Sequence, residues 1–466
     1  MSTVHSTIPI NESDIESVLV AARHQDAARV REVLAKARTL KGLDMDEIAA
    51  LMTVSDPDLM GELFDAAKQV KEEIYGRRLV LFAPLYISNL CSNECLYCAF
   101  RAQNKEVKRR ALTQEEIGRE VKILVEQGHK RILLVAGESY PKEGFSYVLK
   151  AIETIYATKS GTGEIRRVNV NVAPLPVEEF RELKAAGIGT YQVFQETYHR
   201  ETYAEVHTRG KKRDYDWRVT AMDRAMEAGI DDVGIGVLFG LCDWRFEILA
   251  MMQHIRHLEK EFGVGPHTVS VPRLEPAGGS DIASHPPHPI SDVDFRKIVA
   301  ILRLAVPYTG IIMSTRETPN LRRETFALGV SQISAGSRTN PGGYSVDVTE
   351  PDAAQFSLGD HRPLDEVIRD VASLGYIPSF CTACYRLGRT GEDFMDMAKP
   401  GEIKLHCSPN ALSTFTEYLM DYASPETRQV GDRLVVTMLE GMTGKQQTIA
   451  EKLVRQVRAG KRDVFV

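Results

Sequence analysis

Apolar and polar positions alternate in a regular order from about residue 78 onward. Short apolar runs, such as RILLV at 131–135, are typical of buried parallel strands, and helical spacing of apolar residues follows each run, as in 113–127. The pattern predicts eight strands, at 79–87, 131–135, 168–172, 191–194, 233–238, 268–271, 310–313 and 330–333. Eight strands separated by helices indicate an α/β fold, namely a complete (β/α)₈ barrel of the TIM type.

Helical patterns flank the predicted barrel on both sides. Before it, Asp56 can cap a helix that starts at Pro57, and Asn11 precedes another amphipathic segment. After residue 343 the alternation stops, and the last part of the chain again has helical spacing. We therefore predict a helical N-terminal segment at 1–77, the barrel at 78–343 and a mainly helical C-terminal extension at 344–466.

Charge and apolar content limit the classes of function. The 466 residues include 58 Lys and Arg against 64 Asp and Glu, a net charge of −6, which argues against binding of nucleic acid through its phosphates. The longest stretches without a charged residue, 79–93 and 371–385, are shorter than the roughly 20 apolar residues of a membrane helix. The first residues lack the basic and apolar regions of a signal peptide, so we expect a cytoplasmic protein.

Six of the seven cysteines fall into two groups of three. The groups are Cys91, Cys95 and Cys98, and Cys381, Cys384 and Cys407. A disulfide framework would use pairs of cysteines in a much smaller secreted chain. Metal ligation is the better interpretation of both groups, and the remaining Cys242 is expected to be a buried apolar residue.

In a TIM barrel the residues that carry the chemistry follow the carboxyl ends of the strands. Chemically active residue types occupy those positions in this chain. They are Cys91–Cys98, Gly137 and Glu138, Gln195 and Glu196, Arg273 and Glu275, and Arg316 and Glu317. Such loops are polar in any barrel, which is the alternative explanation. We predict an active site at this end of the barrel.

Three thiolates within eight residues, at Cys91, Cys95 and Cys98, can hold one side of a metal centre. A structural zinc site needs four ligands, and no fourth Cys or His is close in sequence, so zinc would require a distant histidine. A [4Fe–4S] cube on three thiolates keeps one iron open for a small chelating molecule. The spacing therefore favours an iron–sulfur site.

The loop sequence CSNECLYC at 91–98 resembles the signature of the radical S-adenosylmethionine (SAM) enzymes. The resemblance implies that the three cysteines hold a [4Fe–4S] cluster whose fourth iron binds SAM, and that reduction of SAM yields a 5′-deoxyadenosyl radical. Other segments also match the family, although Ala136 stands where the family has a glycine. The implied SAM-binding residues are Tyr97 beside the cluster, Gly137 and Glu138 for the amino group, Glu196 for the ribose, Arg218 for the carboxylate, and Gly234 and Gly236 along the adenine.

The second group, Cys381-x₂-Cys384-x₂₂-Cys407, is a weaker signal. His406 adjoins the third cysteine, so the spacing also fits a Cys₃His zinc ribbon. Three thiolates could equally hold a second [4Fe–4S] cluster with an open corner. The residues alone leave both possibilities open.

The two cysteine groups together resemble the tyrosine lyases of [FeFe]-hydrogenase maturation. The resemblance extends over VFQETYH at 193–199, GPHTVSVPRLEP at 265–276, STRE at 314–317 and SAGSRTNPGGY at 334–344. It implies that L-tyrosine is cleaved to p-cresol and dehydroglycine. It also implies that a second cluster converts dehydroglycine to carbon monoxide and cyanide for an iron–carbonyl–cyanide precursor. In this family the second cluster carries an additional iron, joined through a free L-cysteine.

Further roles follow from the resemblance. His267 lies at the start of the sixth strand, and the starts of the strands face the bottom of the barrel. The resemblance implies that His267 binds the additional iron there, although a lone histidine can also be a core residue. Arg316 and Arg323 are the candidates for the tyrosine carboxylate, because a guanidinium binds carboxylates in a bidentate manner. A channel through the barrel is expected to connect the two clusters.

The expected partners are L-tyrosine and SAM, an electron donor such as a ferredoxin or flavodoxin, and other hydrogenase maturation proteins, with no nucleic acid and no membrane. Two alternatives remain open. The chain could be a 2-iminoacetate synthase-type tyrosine lyase of thiazole biosynthesis, with a zinc or vestigial second site, or a non-catalytic iron–sulfur carrier. About eight or nine irons per chain would favour the maturation enzyme, and about four the thiazole enzyme.

Overall fold

Eight parallel strands close into a barrel in the computed structural model, which describes residues 10–24, 26–346 and 354–466. The strands are β1 (Arg78–Ser88), β2 (Arg131–Ala136), β3 (Arg167–Asn171), β4 (Tyr191–Gln192), β5 (Val233–Gly236), β6 (Thr268–Ser270), β7 (Gly310–Met313) and β8 (Val330–Ser334). Each strand pairs with the next one in sequence, and β8 closes the barrel by pairing with residues 80–82 of β1. The predicted (β/α)₈ fold is therefore confirmed.

The interior of this barrel contains several polar side chains. A TIM barrel is generally filled with Val, Ile and Leu side chains. Here Gln192, Ser270 and Ser334 face an internal cavity near the carboxyl ends of the strands, and Ser331 and Gln332 face another near the amino ends. Polar side chains at these positions leave room for hydrated or polar molecules inside the barrel.

Helices surround the barrel and extend it at both ends of the chain. Those before β1 are Glu12–Ala21, Ala27–Ala37, Met45–Met52 and Pro57–Tyr75. Those of the barrel region are Gln114–Glu126, Ser146–Ala157, Val177–Ala185, Arg200–Val206, Tyr215–Val219, Ala221–Glu227, Trp244–Phe262, Asp281–Ser284, Asp292–Ala305 and Pro319–Leu328. Those after the barrel are Leu364–Ser373, Ala383–Arg386, Gly391–Ala398, Lys404–Asp421, Pro425–Glu440 and Gly444–Arg458. Among the described residues no helix is long and apolar enough to span a bilayer.

Local capping signals explain where several helices begin. Asn11 and Asp56 accept hydrogen bonds from backbone amides of the helices that follow them, and Pro57 occupies the first helical position. Thr113 and Glu116 form a capping box at the helix after β1. These starts were predicted from the sequence, whereas the helix Met45–Met52 was not.

A ninth strand attaches the C-terminal extension to the bottom of the barrel. This strand, β9 (Ile377–Ser379), pairs in parallel with residues 78–80 of β1, just before residues 83–88 of β1 pair with β2. The Arg166 guanidinium, beside the start of β3, binds Glu417 of the extension at 2.6 Å. One hydrophobic core continues from the first helices through the barrel into the extension, so the three-part division stays a prediction.

Candidate active sites at the two ends of the barrel

A cavity of about 210 Å³ lies at the carboxyl ends of the strands, and we call it the upper cavity. Most residues that the sequence singled out for the SAM site line it. These are Cys91, Cys95, Cys98, Tyr97, Gly137, Glu138, Glu196, Arg218 and Arg316. They follow four different strands, β1, β2, β4 and β7, and such convergence is the usual construction of a TIM-barrel active site.

The three thiols of the first group converge on the upper cavity. Cys95 lies in a short strand pair, Glu94–Cys95 with His207–Arg209, which holds the loop in place. Burial raises the pKa of Cys98 to about 11, so the thiol stays neutral unless a cation binds there. These three groups fit the thiolate ligands of a [4Fe–4S] cluster.

Within 10–24, 26–346 and 354–466, no three side chains of His, Cys, Asp or Glu approach closely enough to hold one metal ion. Thiolates on three corners of a cube are spaced more widely than ligands of one zinc ion.

Four charged side chains form a network on the wall of the upper cavity. Arg218 donates to Glu138 at 2.8 Å and lies 3.5 Å from Glu196, and Lys212 donates to Glu196 at 2.6 Å. Burial tends to raise the pKa of Glu138, but Arg218 and Lys212 outweigh it and lower that pKa. The Glu138 carboxylate thus stays ionised beside two cations in a buried site.

Glu196 also has a strained backbone. Its φ is +72°, in the left-handed region that residues other than glycine rarely adopt. Such strain concentrates at functional sites, where the surrounding structure holds it in place. The conformation directs the Glu196 carboxylate to Lys212 and Arg218.

Tyr97 is fixed by a neutral histidine that sequence reasoning did not single out. The His207 Nδ1 is 2.9 Å from the carbonyl oxygen of Tyr203, which can only accept, so Nδ1 carries the proton. The His207 Nε2 therefore accepts from the Tyr97 hydroxyl at 2.8 Å. Burial lowers the pKa of His207 well below its usual value, so this arrangement persists at neutral pH.

Sequence reasoning also missed other residues of the upper cavity. Asn93 donates to Glu138 at 2.7 Å and accepts from the backbone amide of Lys212 at 3.0 Å. The Gln355 amide nitrogen is 3.7 Å from the Cys98 sulfur. The position of Asn93 inside the cysteine motif was a usable signal, whereas Gln355 lies beyond the barrel sequence and had none.

The two arginine candidates for the tyrosine carboxylate are in different places. Arg316 lies in the upper cavity, 3.3 Å from the ring centroid of Phe356, and forms no ion pair among the described residues. Arg323 does not line the cavity: its Nε is 2.9 Å from both carboxylate oxygens of Asp370, and its side chain is 41% exposed. The structure does not bring Arg323 to the cavity, because its face of the helix Pro319–Leu328 points to the extension.

The three glycines that were expected to bind SAM also lie in different places. Gly137 lines the upper cavity, and a Cβ there would lie 2.2 Å from the carbonyl oxygen of Leu90, so only glycine fits. Gly234 and Gly236 lie in β5 and do not line the cavity. A Cβ on either would collide with β6, so they allow close packing between strands. The structure does not place them as adenine contacts.

A second cavity, of about 50 Å³, lies at the amino ends of the strands, and we call it the lower chamber. Cys381, Cys384, Cys407 and His267 all line it, whereas His406 does not. The His267 Nε2 is 3.1 Å from the Tyr385 hydroxyl, and its Nδ1 is 3.5 Å from Asp232. The structure thus brings the second cysteine group and His267 together below the barrel, as expected.

The two cavities meet along the same strands. On β8, Ser334 faces the upper cavity and Gln332, two residues earlier, faces the lower chamber. On β7, Ile312 lines the upper cavity and Gly310 lines the lower chamber. Alternate residues of a strand point to the same side, so these pairs line one barrel interior. A channel between the cavities stays a prediction.

Known proteins share this fold and sequence. The family model of the radical SAM superfamily matches residues 85–252, and that of the biotin and thiamin synthesis associated domain matches residues 270–377. The 2-iminoacetate synthase of Salmonella typhimurium is 34% identical over 354 residues, which are 75% of this chain and 90% of that protein.

Two solved structures are similar over nearly the whole chain. The crystal structure of HydG, described as a maturase of the [FeFe]-hydrogenase, has a TM-score of 0.95 and 48% identity, covering 99% of this chain and 100% of that one. The FeFe-hydrogenase maturase HydG from Carboxydothermus hydrogenoformans has a TM-score of 0.85 and 42% identity, covering 97% of this chain and 100% of that one.

Proposed function

We propose, since the chain belongs to the radical SAM superfamily and, within it, to the family of the HydG maturases, that it is the tyrosine lyase of [FeFe]-hydrogenase maturation. The chain is an enzyme that uses a [4Fe–4S] cluster and SAM. In the proposed reaction, L-tyrosine gives p-cresol and dehydroglycine, and dehydroglycine gives carbon monoxide and cyanide. The product is an iron–carbonyl–cyanide precursor of the hydrogenase cofactor.

One observation carries this proposal: two groups of three cysteines line separate cavities at opposite ends of one barrel. The upper group resembles that of every radical SAM enzyme and supports only the first half of the reaction. The lower group, joined by His267, supports the second half. A tyrosine lyase of thiazole biosynthesis would have no use for the lower chamber.

Both thiol groups fit iron–sulfur clusters. Cys91, Cys95 and Cys98 would hold the first, and the thiols of Cys381, Cys384 and Cys407 would hold the second. When bound, the first cluster supplies an electron that cleaves SAM to a 5′-deoxyadenosyl radical, and the second supplies the iron site for forming the diatomic products.

The residues of the upper cavity bind and orient the two small molecules. Arg316 is the candidate for the tyrosine carboxylate, since it forms no ion pair within the described part of the chain and its guanidinium lies over the Phe356 ring. Glu138 and Arg218 carry opposite charges, which suit the amino and carboxylate groups of SAM. Such positioning lowers the barrier by fixing the reacting groups beforehand.

His267 is suited to hold the additional iron of the lower chamber. Burial lowers the pKa of His267, so its imidazole is neutral and keeps a lone pair for a metal. Its Nε2 faces the Tyr385 hydroxyl at the chamber wall. We propose that the additional iron binds there, joined to the second cluster through a free L-cysteine.

Positive charge around the first cysteine loop supports an acidic electron donor. Residues 101–110 and 209–213 both contact Asn93 or Glu94 within this loop. Together they carry nine Lys and Arg and one Glu, in a chain whose net charge is −6. Lys105, Lys108, Arg209, Lys211 and Arg213 are exposed there. We propose that a ferredoxin or flavodoxin docks on this basic face. Contacts with other maturation proteins and a cytoplasmic location stay predictions from the sequence.

The experiment that tests the function supplies the anaerobic, reconstituted protein with reductant, SAM and L-tyrosine. We expect p-cresol and 5′-deoxyadenosine by chromatography, carbon monoxide by capture on a haem protein, and cyanide by derivatisation. p-Cresol without carbon monoxide would contradict the maturation role and support the thiazole enzyme. Absence of both p-cresol and 5′-deoxyadenosine would support an iron–sulfur carrier.

A further inference from the structure

Two buried guanidinium groups in the lower chamber have no carboxylate partner. Arg78 is the first residue of β1 and Arg131 the first of β2, and both line the chamber. They are only 8% and 5% exposed. Within the described part of the chain neither forms an ion pair, and the Nε of each lacks a hydrogen-bond acceptor.

A nearby arginine shows what a purely structural guanidinium does in this protein. Arg303 is fully buried, and its Nε, Nη1 and Nη2 all donate to carbonyl oxygens of Pro307, Thr309 and Gly329. Arg131 makes one such bond, from Nη1 to the Cys381 carbonyl oxygen at 3.0 Å. Arg78 and Arg131 therefore retain donors for another molecule, since buried donors are normally satisfied.

The charges around the chamber also leave an excess of cations. The other basic groups around the chamber are Arg167 and His267. Among the residues described, Asp232 is the one carboxylate in ion-pair range of them, at 3.7 Å from Arg167 and 3.5 Å from His267. Three thiolates on a cluster with a doubly positive core carry a single net negative charge. Two guanidinium groups beside it leave one positive charge unbalanced, and a buried charge requires a partner.

We propose that Arg78 and Arg131 form a binding site for the carboxylate of a small amino or imino acid in the lower chamber. This inference rests on the proposed function, which delivers dehydroglycine and a free L-cysteine to the same place. Both molecules carry the carboxylate that a guanidinium binds in a bidentate manner.

The test measures binding on the reconstituted wild-type protein without SAM, so that no turnover occurs. Equilibrium dialysis with radiolabelled glyoxylate, a stable analogue of dehydroglycine, and with L-cysteine would be compared with glyoxylamide and cysteamine, which lack the carboxylate. We expect each neutral or cationic analogue to bind at least about tenfold more weakly than its acid, because a charge-assisted hydrogen-bond pair is lost.

The variants Arg131→Gln and Arg78→Gln should weaken binding of the acids by at least about tenfold, and Arg131→Lys should retain part of it. Arg323→Gln is the matched control, since Arg323 is paired with Asp370 on the surface. Iron content and the electron paramagnetic resonance signal of the second cluster show whether each variant keeps its cluster. If Arg78→Gln loses iron, Arg131→Gln and the wild-type comparison of acids with analogues still decide the question.

Several outcomes would separate this inference from the proposed function. Tight binding of glyoxylate alone, or of L-cysteine alone, supports the site and identifies its ligand. Equal binding of acids and analogues, no binding of either acid, or unchanged binding in Arg131→Gln overturns it. p-Cresol and carbon monoxide are assayed separately. If both form while acid binding does not depend on these arginines, only the carboxylate site fails.

Discussion

The upper cavity and the lower chamber differ most in how their charges are balanced. In the upper cavity Arg218 and Lys212 face Glu138 and Glu196, and Arg316 shares the cavity with Glu275, so three cations match three carboxylates. In the lower chamber neither Arg78 nor Arg131 has a carboxylate partner among the described residues. The first arrangement suits zwitterionic small molecules, and the second suits anions.

The two sites also differ in construction. The upper cavity is formed by loops, including Gln355 and Phe356 from beyond the barrel, and its volume is about 210 Å³. The lower chamber is about 50 Å³ and is formed by strand starts and by the C-terminal extension. The two sites therefore differ both in size and in the elements that form their walls.

The largest effect is expected from removing one cysteine at each end. Cys95→Ala should abolish p-cresol, 5′-deoxyadenosine and carbon monoxide together, because no open iron remains for SAM. Cys384→Ala should abolish carbon monoxide while p-cresol still forms. Product analysis by chromatography and haem trapping checks both. If a Cys384→Ala protein keeps its first cluster but forms no p-cresol, the two sites do not carry out separate halves of the reaction.

The next largest effect concerns the substrate carboxylate in the upper cavity. Arg316→Ala should raise KM for tyrosine by about 10- to 100-fold, because a charge-assisted hydrogen bond of roughly 1.5–3 kcal/mol is lost. Arg323→Ala provides the control, since that side chain is paired with Asp370 outside the cavity. Steady-state p-cresol formation measures both variants. Similar KM values for the two would remove Arg316 from the substrate site.

A smaller effect is expected outside the cavities, on the basic face near the first cluster. Lys211→Glu with Arg213→Glu should slow turnover supported by an acidic ferredoxin or flavodoxin by roughly 3- to 30-fold at low salt, because charge complementarity speeds association. Turnover supported by dithionite should not change. Lys445→Glu reverses an exposed charge on the C-terminal helices and serves as the control. If turnover supported by the ferredoxin or flavodoxin is the same in the double variant and in Lys445→Glu, the electron donor does not dock at this face.

The smallest effect concerns stability, through one buried histidine near each end of the barrel. His129, before β2, and His254, beside Tyr198, are both buried, and burial lowers the pKa of each to about 3. Each stays neutral when folded and gains a proton near pH 6.5 when unfolded, so folding is stabilised above pH 6.5 and weakened below it. Each histidine should lower the free energy of unfolding by about 1 kcal/mol when the pH falls from 7.5 to 5.5. Thermal unfolding of the wild type and of His254→Phe checks this: the variant should depend less on pH.

Sequence periodicity was sufficient for the barrel, because strand and helix patterns depend on local spacing. It was less reliable where a pattern contained an internal break, as at 215–228, which forms two helices divided at Thr220. The short spacing of the first cysteine group favoured an iron–sulfur site, whereas the second group, with 22 residues before Cys407, left a zinc site equally open. Asn93 was missed although it lies inside the cysteine motif, and Lys212 was missed because surface and site cations look alike in sequence.

The sequence by itself determined the fold class, the two cysteine groups and the chemistry for which those groups are suited, since all three depend on local residue order. Only the tertiary structure decided that Arg316 and not Arg323 faces the cavity, because side chains close together in one segment can point in different directions. It also placed His267 beside the second cysteine group, across more than a hundred residues of chain. That meeting depends on β9 pairing below β1, a long-range contact without a local signal in the sequence.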